Sequence, residues 1–140
     1  QNEIKIADIE ELTQAQVDAD IFALTDALGR KNRKNALALI EQQFAAGTAP
    51  LELLGKIVWQ FKNLLLVRDA LDSNPGYPVP AQLANELGLH PFVVKKTLPQ
   101  AAKYNLEELQ SAYAQLLEID KQLKQSGEPR VLFTKLAASL

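Results

Sequence analysis

The chain has no cysteine, no methionine, one histidine and one tryptophan among its 140 residues. Without cysteine there is no disulfide framework, no thiolate nucleophile and no Cys-based zinc site, and the redox compartment stays open. One histidine cannot supply the paired imidazoles of a zinc site, and no Ser/His/Asp order can be argued from it. No apolar run approaches the ~18 residues that a membrane span needs. Neither sign of charge dominates: 15 basic and 17 acidic residues leave a net charge of −2. No global field therefore draws the chain to nucleic acid or to an anionic membrane. The missing methionine and the start at Gln1 read as a cut edge, so a piece of a larger protein is expected.

What is present is apolar and aliphatic: 47% hydrophobic with only 6% aromatic residues, the balance of a Leu/Ala-rich helical bundle. A single domain of this length buries roughly 68–70% of its unfolded surface. Residues 1–17 carry Ile4, Ile6, Ile9, Leu12 and Val17 among acids, with Asp8 placed to cap a short helix over Ile9–Leu12. From Ile21 the period becomes helical. Ile21, Leu24 and Leu28 form one stripe with Gly29 as its stop, and Leu37, Ile40 and Phe44 form a second stripe ended by Gly47.

Pro50 opens the longest pattern, to about residue 73. Apolar residues cover most of its circumference and leave a narrow polar ridge at Glu52, Lys56, Gln60 and Asn63, which marks a central helix packed on several sides. The run Asn74 to Pro80, with three prolines and a glycine, is a loop. A short helix over Ala81–Leu87 stops at Gly88. Pro91 opens another to about Tyr104, with a kink or break expected at Pro99. Asn105 and Glu108 have the spacing of a capping box for a helix to about Gln125, striped by Leu106, Leu109, Tyr113, Leu116 and Leu123. Gly127 suits a left-handed helix end, and Pro129 opens a last helix to near Ser139 with Val131, Leu132, Leu136 and Leu140 apolar. No segment alternates like a strand. The fold class is all-α, a bundle of about six to seven helices.

Four groups of residues bear on function. Leu83 to Val94 resembles a helix-turn-helix, but its second helix starts with His90, Pro91, Phe92 and Val93, a poor set for reading base edges. Basic side chains arrive only at Lys95 and Lys96, so a structural corner is favoured, with His90 a cap or packing residue. Arg30, Lys31, Arg33 and Lys34 form the one dense basic cluster. It reads either as a solvated turn or as a contact for an acidic partner or phosphate. Arg33 and Lys34 fall in a first helical turn, where the dipole disfavours cations by about 0.3–1 kcal/mol each. Gly55-Lys56 lacks the earlier glycine and the following Ser/Thr of a phosphate loop and lies in a helical stretch. Asp120 and Lys124 are one turn apart, a spacing worth ~0.2–0.5 kcal/mol as a helix pair. No catalytic constellation, metal site or cofactor site emerges.

Four segments, in order, resemble the C-terminal part of the delta subunit of the bacterial DNA polymerase III clamp loader. They are Phe22-x-Leu-x-Asp-Ala-Leu28, Leu53-Leu-x-x-Ile-x-x-Gln-Phe61, Leu87-x-Leu-x-Pro-Phe-x-Val-x-Lys96 and Asp120-x-x-Leu-Lys124, followed by the Gly-acid-Pro of Gly127 to Pro129. The resemblance covers about residues 20–140. It implies a helical collar domain over residues 18–140 that joins loader subunits, and residues 1–17 as the tail of a preceding lid module of an AAA+-type protein. It also implies other loader subunits as partners through the collar, and the sliding clamp and DNA as partners of the full-length protein or complex. The setting implied is the bacterial cytoplasm, with no membrane and no cofactor. By itself the domain would be non-catalytic within a nucleotidyltransferase holoenzyme. Arg30, Lys31, Arg33, Lys34, Asp120 and Lys124 are the candidate partner or nucleic-acid contacts, and a DNA-binding helix-turn-helix module is the alternative.

Overall fold

The computed structural model describes residues 19–73, 80–125 and 127–140. The expected short helix over Ile9–Leu12 and most of the loop from Asn74 lie outside these. Seven helices make up the described residues, with no strand among them: α1 over 19–29, α2 Arg33–Ala45, α3 Pro50–Ser73, α4 Pro80–Leu87, α5 Pro91–Ala101, α6 Leu106–Gln125 and α7 Pro129–Ser139. Four of them begin on proline, whose fixed φ suits the first turn and whose absent N–H has no intrahelical partner to lose there.

The central helix is α3, packed along α6 and α5, while α4 pairs with α5 and α7 bridges α2 and α6. Its inward face, Leu53, Leu54, Ile57, Phe61, Leu64 and Val67, is withdrawn from solvent. Each fully buried side chain of this size contributes ~1.5–3 kcal/mol of transfer free energy. Ile21, Leu24 and Leu28 of α1, Leu109 and Leu116 of α6, and Phe133 and Leu136 of α7 complete the same core. The α2–α7 seam adds an edge-to-face pair, Phe44 on Phe133 at 5.3 Å between centroids, and an ion pair from Arg130 to Glu41.

The helix ends refine the glycine readings. Gly47 (φ 93) and Gly88 (φ 68) take the left-handed conformation and close α2 and α4 as expected. Gly29 does not. It stays helical, and the left-handed position falls on Lys31 (φ 59). The Asn32 N–H donates to the Ala27 carbonyl (3.0 Å) and the Lys31 N–H to the Leu28 carbonyl (3.1 Å), a Schellman closure around a lysine. Gly29 is instead required by proximity, since a Cβ there would meet the Tyr104 hydroxyl at 2.6 Å. Gly127 is also held by close approach. A Cβ would lie 2.8 Å from the Gln122 carbonyl oxygen and 2.5 Å from Leu132 Cδ1, so close approach explains its glycine.

Two other expectations shift. α5 runs through Pro99 and ends at Ala101, three residues short of the expected Tyr104. Its end is fixed from outside, because Arg68 Nη1 of α3 donates to the Ala101 carbonyl (3.1 Å) and reaches that of Tyr104 (3.4 Å). Val131, expected on the apolar stripe of α7, is exposed, and Phe133 takes its place inside. The capping box of α6 forms as read: the Asn105 N–H donates to Glu108 Oε1 (3.0 Å) and the Glu108 N–H to Asn105 Oδ1 (2.8 Å).

Candidate interaction surfaces

The polar ridge of α3 does not run along solvent. Glu52 is exposed and Lys56 half-buried, but Gln60 and Asn63 turn into the bundle. There they join a polar network across three helices. Gln60 Nε2 donates to Thr97 Oγ1 (3.1 Å) and Gln100 Oε1 (3.4 Å), and Asn63 Nδ2 donates to Gln60 Oε1 (3.1 Å). Gln100 Nε2 donates to the Phe22 carbonyl of α1 (3.0 Å). The Thr25 hydroxyl donates to the Ile21 carbonyl (2.9 Å) and lies 3.2 Å from Gln100 Oε1. Among the described residues no buried side-chain nitrogen or oxygen lacks a partner. A buried amide left unpaired costs about 1–3 kcal/mol, so each member holds the others in one arrangement. These residues are structural: they fix how α1, α3 and α5 dock.

The surfaces left for partners are of three kinds. The first is the basic turn between α1 and α2. Arg30 pairs with Asp26 (2.9 Å), and Lys103 approaches the other carboxylate oxygen of Asp26 at 3.8 Å. Lys31 lines a cleft of about 370 Å³ with Gly29, Lys103, Tyr104, Glu108 and Leu140. Burial pushes the Tyr104 hydroxyl up to about 12, with Glu108 and Asp26 adding to the shift, so this phenol stays neutral through ordinary pH. Arg33 and Lys34 stand exposed in the first turn of α2, where there is no acid, and Asn32 caps that turn by accepting from the Asn35 N–H (3.2 Å). Neither makes an ion pair among the described residues.

The second is the pair on α6. Lys124 Nζ lies 2.8 Å from Asp120 Oδ2, as the spacing predicts. It is a local helix pair, and no ion pair among the described residues joins it to the Arg30–Lys34 turn.

The third kind was not singled out from the sequence: apolar side chains left outside. Trp59 of α3 and Phe92 of α5 remain more than a third exposed. Both pack on Phe22 of α1, at 6.1 and 5.9 Å between centroids, and Lys96 Nζ lies 5.7 Å from the Phe92 ring. Leu66 (45% exposed) and Leu117 (48%) stand on the outer faces of α3 and α6. Trp59 and Leu66 belong to the apolar pattern of residues 50–73, but helical period could not say which part of it would find a neighbour.

At the α4–α5 corner, His90 Nδ1 accepts from the Phe92 N–H (3.1 Å) and caps α5. The side chain that a groove-reading helix would present first is thus spent on its own backbone, and the next aromatic ring packs on Phe22. No described helix is long and apolar enough to cross a membrane, and the described residues contain no metal-ligating group of three or more acids or histidines.

Residues 18–139 match the family model described as DNA polymerase III delta subunit, C-terminal domain. The chain is similar to the DNA polymerase III subunit delta of Bacillus subtilis (strain 168), 25% identical over 134 residues, which are 96% of this chain and 38% of that protein. Among solved structures it resembles the Bacillus subtilis DNA clamp loader delta protein (YqeN), with a TM-score of 0.76 at 25% identity, covering 99% of this chain and 40% of that one. The chain thus spans about two fifths of the length of the relatives it matches.

Proposed function

This chain belongs to the family of C-terminal domains of the DNA polymerase III delta subunit, and on that premise we propose that it is an association, or collar, domain. It joins its subunit to the other subunits of a clamp loader. The one observation that supports this most is the family match over residues 18–139, carried by the same fold as a clamp loader delta protein. The architecture suits the task. A core pinned by a satisfied polar network presents fixed outer faces, and a rigid surface loses little conformational freedom on docking.

In this reading residues 1–17 are the tail of the preceding lid module, and the sliding clamp and DNA are met by the full-length subunit or the assembled loader in the bacterial cytoplasm. The domain carries no chemistry of its own and needs no cofactor. The Arg30–Lys34 turn and the Asp120–Lys124 pair are secondary contacts, of which Arg33 and Lys34, without an ion pair among the described residues, are the better placed. The DNA-reading alternative gains nothing from the corner, where His90 and Phe92 are already engaged.

The test is co-elution in gel filtration of the folded chain with separately purified subunits of the cognate clamp loader. A stable complex is expected, and no association with any of them sinks the reading. A parallel titration with duplex and single-stranded DNA at low salt is expected to show no binding. A strong signal falling steeply with salt would revive the alternative.

A further inference from the structure

We propose that the groove between α3 and α6 seats one amphipathic helix of a neighbouring clamp-loader subunit, an inference that rests on the association reading above and gives it a surface. The groove has a volume of about 430 Å³ and is lined by Leu65, Leu66 and Lys62 of α3 and by Leu106 and Tyr113 of α6. Leu117, one turn beyond Tyr113 on α6, is as exposed as Leu66. Both walls follow helical spacing for about two turns, from Lys62 to Asp69 on α3 and from Leu106 to Tyr113 on α6, so the lining forms a trough, a shape that accepts a helix. Scattered exposed leucines are ordinary, but two ridges meeting in a concave apolar channel are what an interface core requires.

Charge specifies the occupant. Lys62 and Asp69 stand at the two ends of the α3 wall, seven residues or ~10.5 Å apart along the axis, too far to pair with each other. Neither makes an ion pair among the described residues, whereas Arg68 between them is committed to Asp72 and to the end of α5. The fitting partner is therefore a helix with apolar residues at i, i+3/4 and i+7, an acidic side chain set against Lys62 and a basic one two turns away against Asp69. Such complementarity fixes direction and register, and the apolar trough supplies the burial.

The chain has no cysteine, so Gln110→Cys on the rim of the groove gives a single addressable thiol. The full chain, labelled there with an environment-sensitive fluorophore, is titrated with each separately purified subunit of the cognate loader. The expected result is a blue shift with one subunit. Leu66→Asp or Leu117→Asp should weaken that binding at least tenfold and Lys62→Glu several-fold, with thermal melts unchanged. A label placed instead at Phe92→Cys should not respond. The groove is excluded if the complex forms in gel filtration but the Gln110→Cys label is silent and both aspartate variants bind normally; association itself would then stand. Absence of any complex with the unmodified chain overturns both ideas. A blue shift that follows the chain's own concentration, with no other subunit present, overturns the heterologous helix in favour of a second copy.

Discussion

The two faces of α3 invert the usual arrangement. Its inner face buries two amides, Gln60 and Asn63, while its outer face leaves Leu66 and Trp59 to solvent. Each has its own physical account. Inside, Gln60 donates to Thr97 and Gln100 and accepts from Asn63, and Gln100 carries the network to the α1 backbone, so they add direction to a core whose apolar contacts are non-directional. Outside, apolar side chains stand beside Lys62 and Asp69, which make no ion pair among the described residues, and this is the face proposed above for a partner. What holds the fold and what is offered to a partner are thus separated on one helix, a few ångströms apart.

The largest effect should come from breaking the inner face. Gln100→Ala strips one of the two acceptors from Gln60 and the donor from the Phe22 carbonyl and opens a cavity, so a loss of about 2–4 kcal/mol is expected by chemical denaturation. If the cost is below ~1 kcal/mol, the network is not what docks α1 on α3 and α5. Next is a position with no polar side chain at all. Gly127→Ala forces a Cβ against the Gln122 carbonyl and should cost about 1–3 kcal/mol, showing that close packing at the α6–α7 turn rivals a buried bond. Asn105→Ala removes half of the α6 capping box, and about 1 kcal/mol is expected from a thermal melt. The outer face should give the smallest change: Leu66→Asp is expected to shift stability by no more than ~0.5 kcal/mol. A drop of several kcal/mol there would mean that Leu66 belongs to the core and that the contrast between the faces is false.

Much of this architecture was legible in the residues. Pro50, Pro91 and Pro129 mark three helix starts, Asn105 with Glu108 marks a fourth, and Gly47 and Gly88 mark two ends, because each acts through local backbone chemistry. The buried network was not. Gln60 and Asn63 follow Lys56 at helical spacing and read as a narrow polar ridge, and the partners of Gln60, Thr97 and Gln100, lie on another helix more than thirty residues away. α1 ends at Gly29 as read, but the left-handed residue that closes it is Lys31, and a lysine carries no signal for that conformation. The real constraint on Gly29, the Tyr104 ring beside the place a Cβ would take, comes from beyond the far end of α5. Among candidate contacts, the Asp120–Lys124 pair was legible because it is local. The α3–α6 groove was not, since period alone cannot tell a stripe that is covered from one left open.

The sharpest test of the separation is to measure, for Gln100→Ala and Leu66→Asp in the full chain, both the melting temperature and the Kd for the cognate loader subunits, at a temperature where both variants are folded. Gln100→Ala is expected to lower the melting temperature by several degrees and leave Kd within about twofold, while Leu66→Asp leaves the melt in place and raises Kd at least tenfold. If Leu66→Asp melts early and still binds like the parent chain, the outer face of α3 is structure and the partner lies elsewhere.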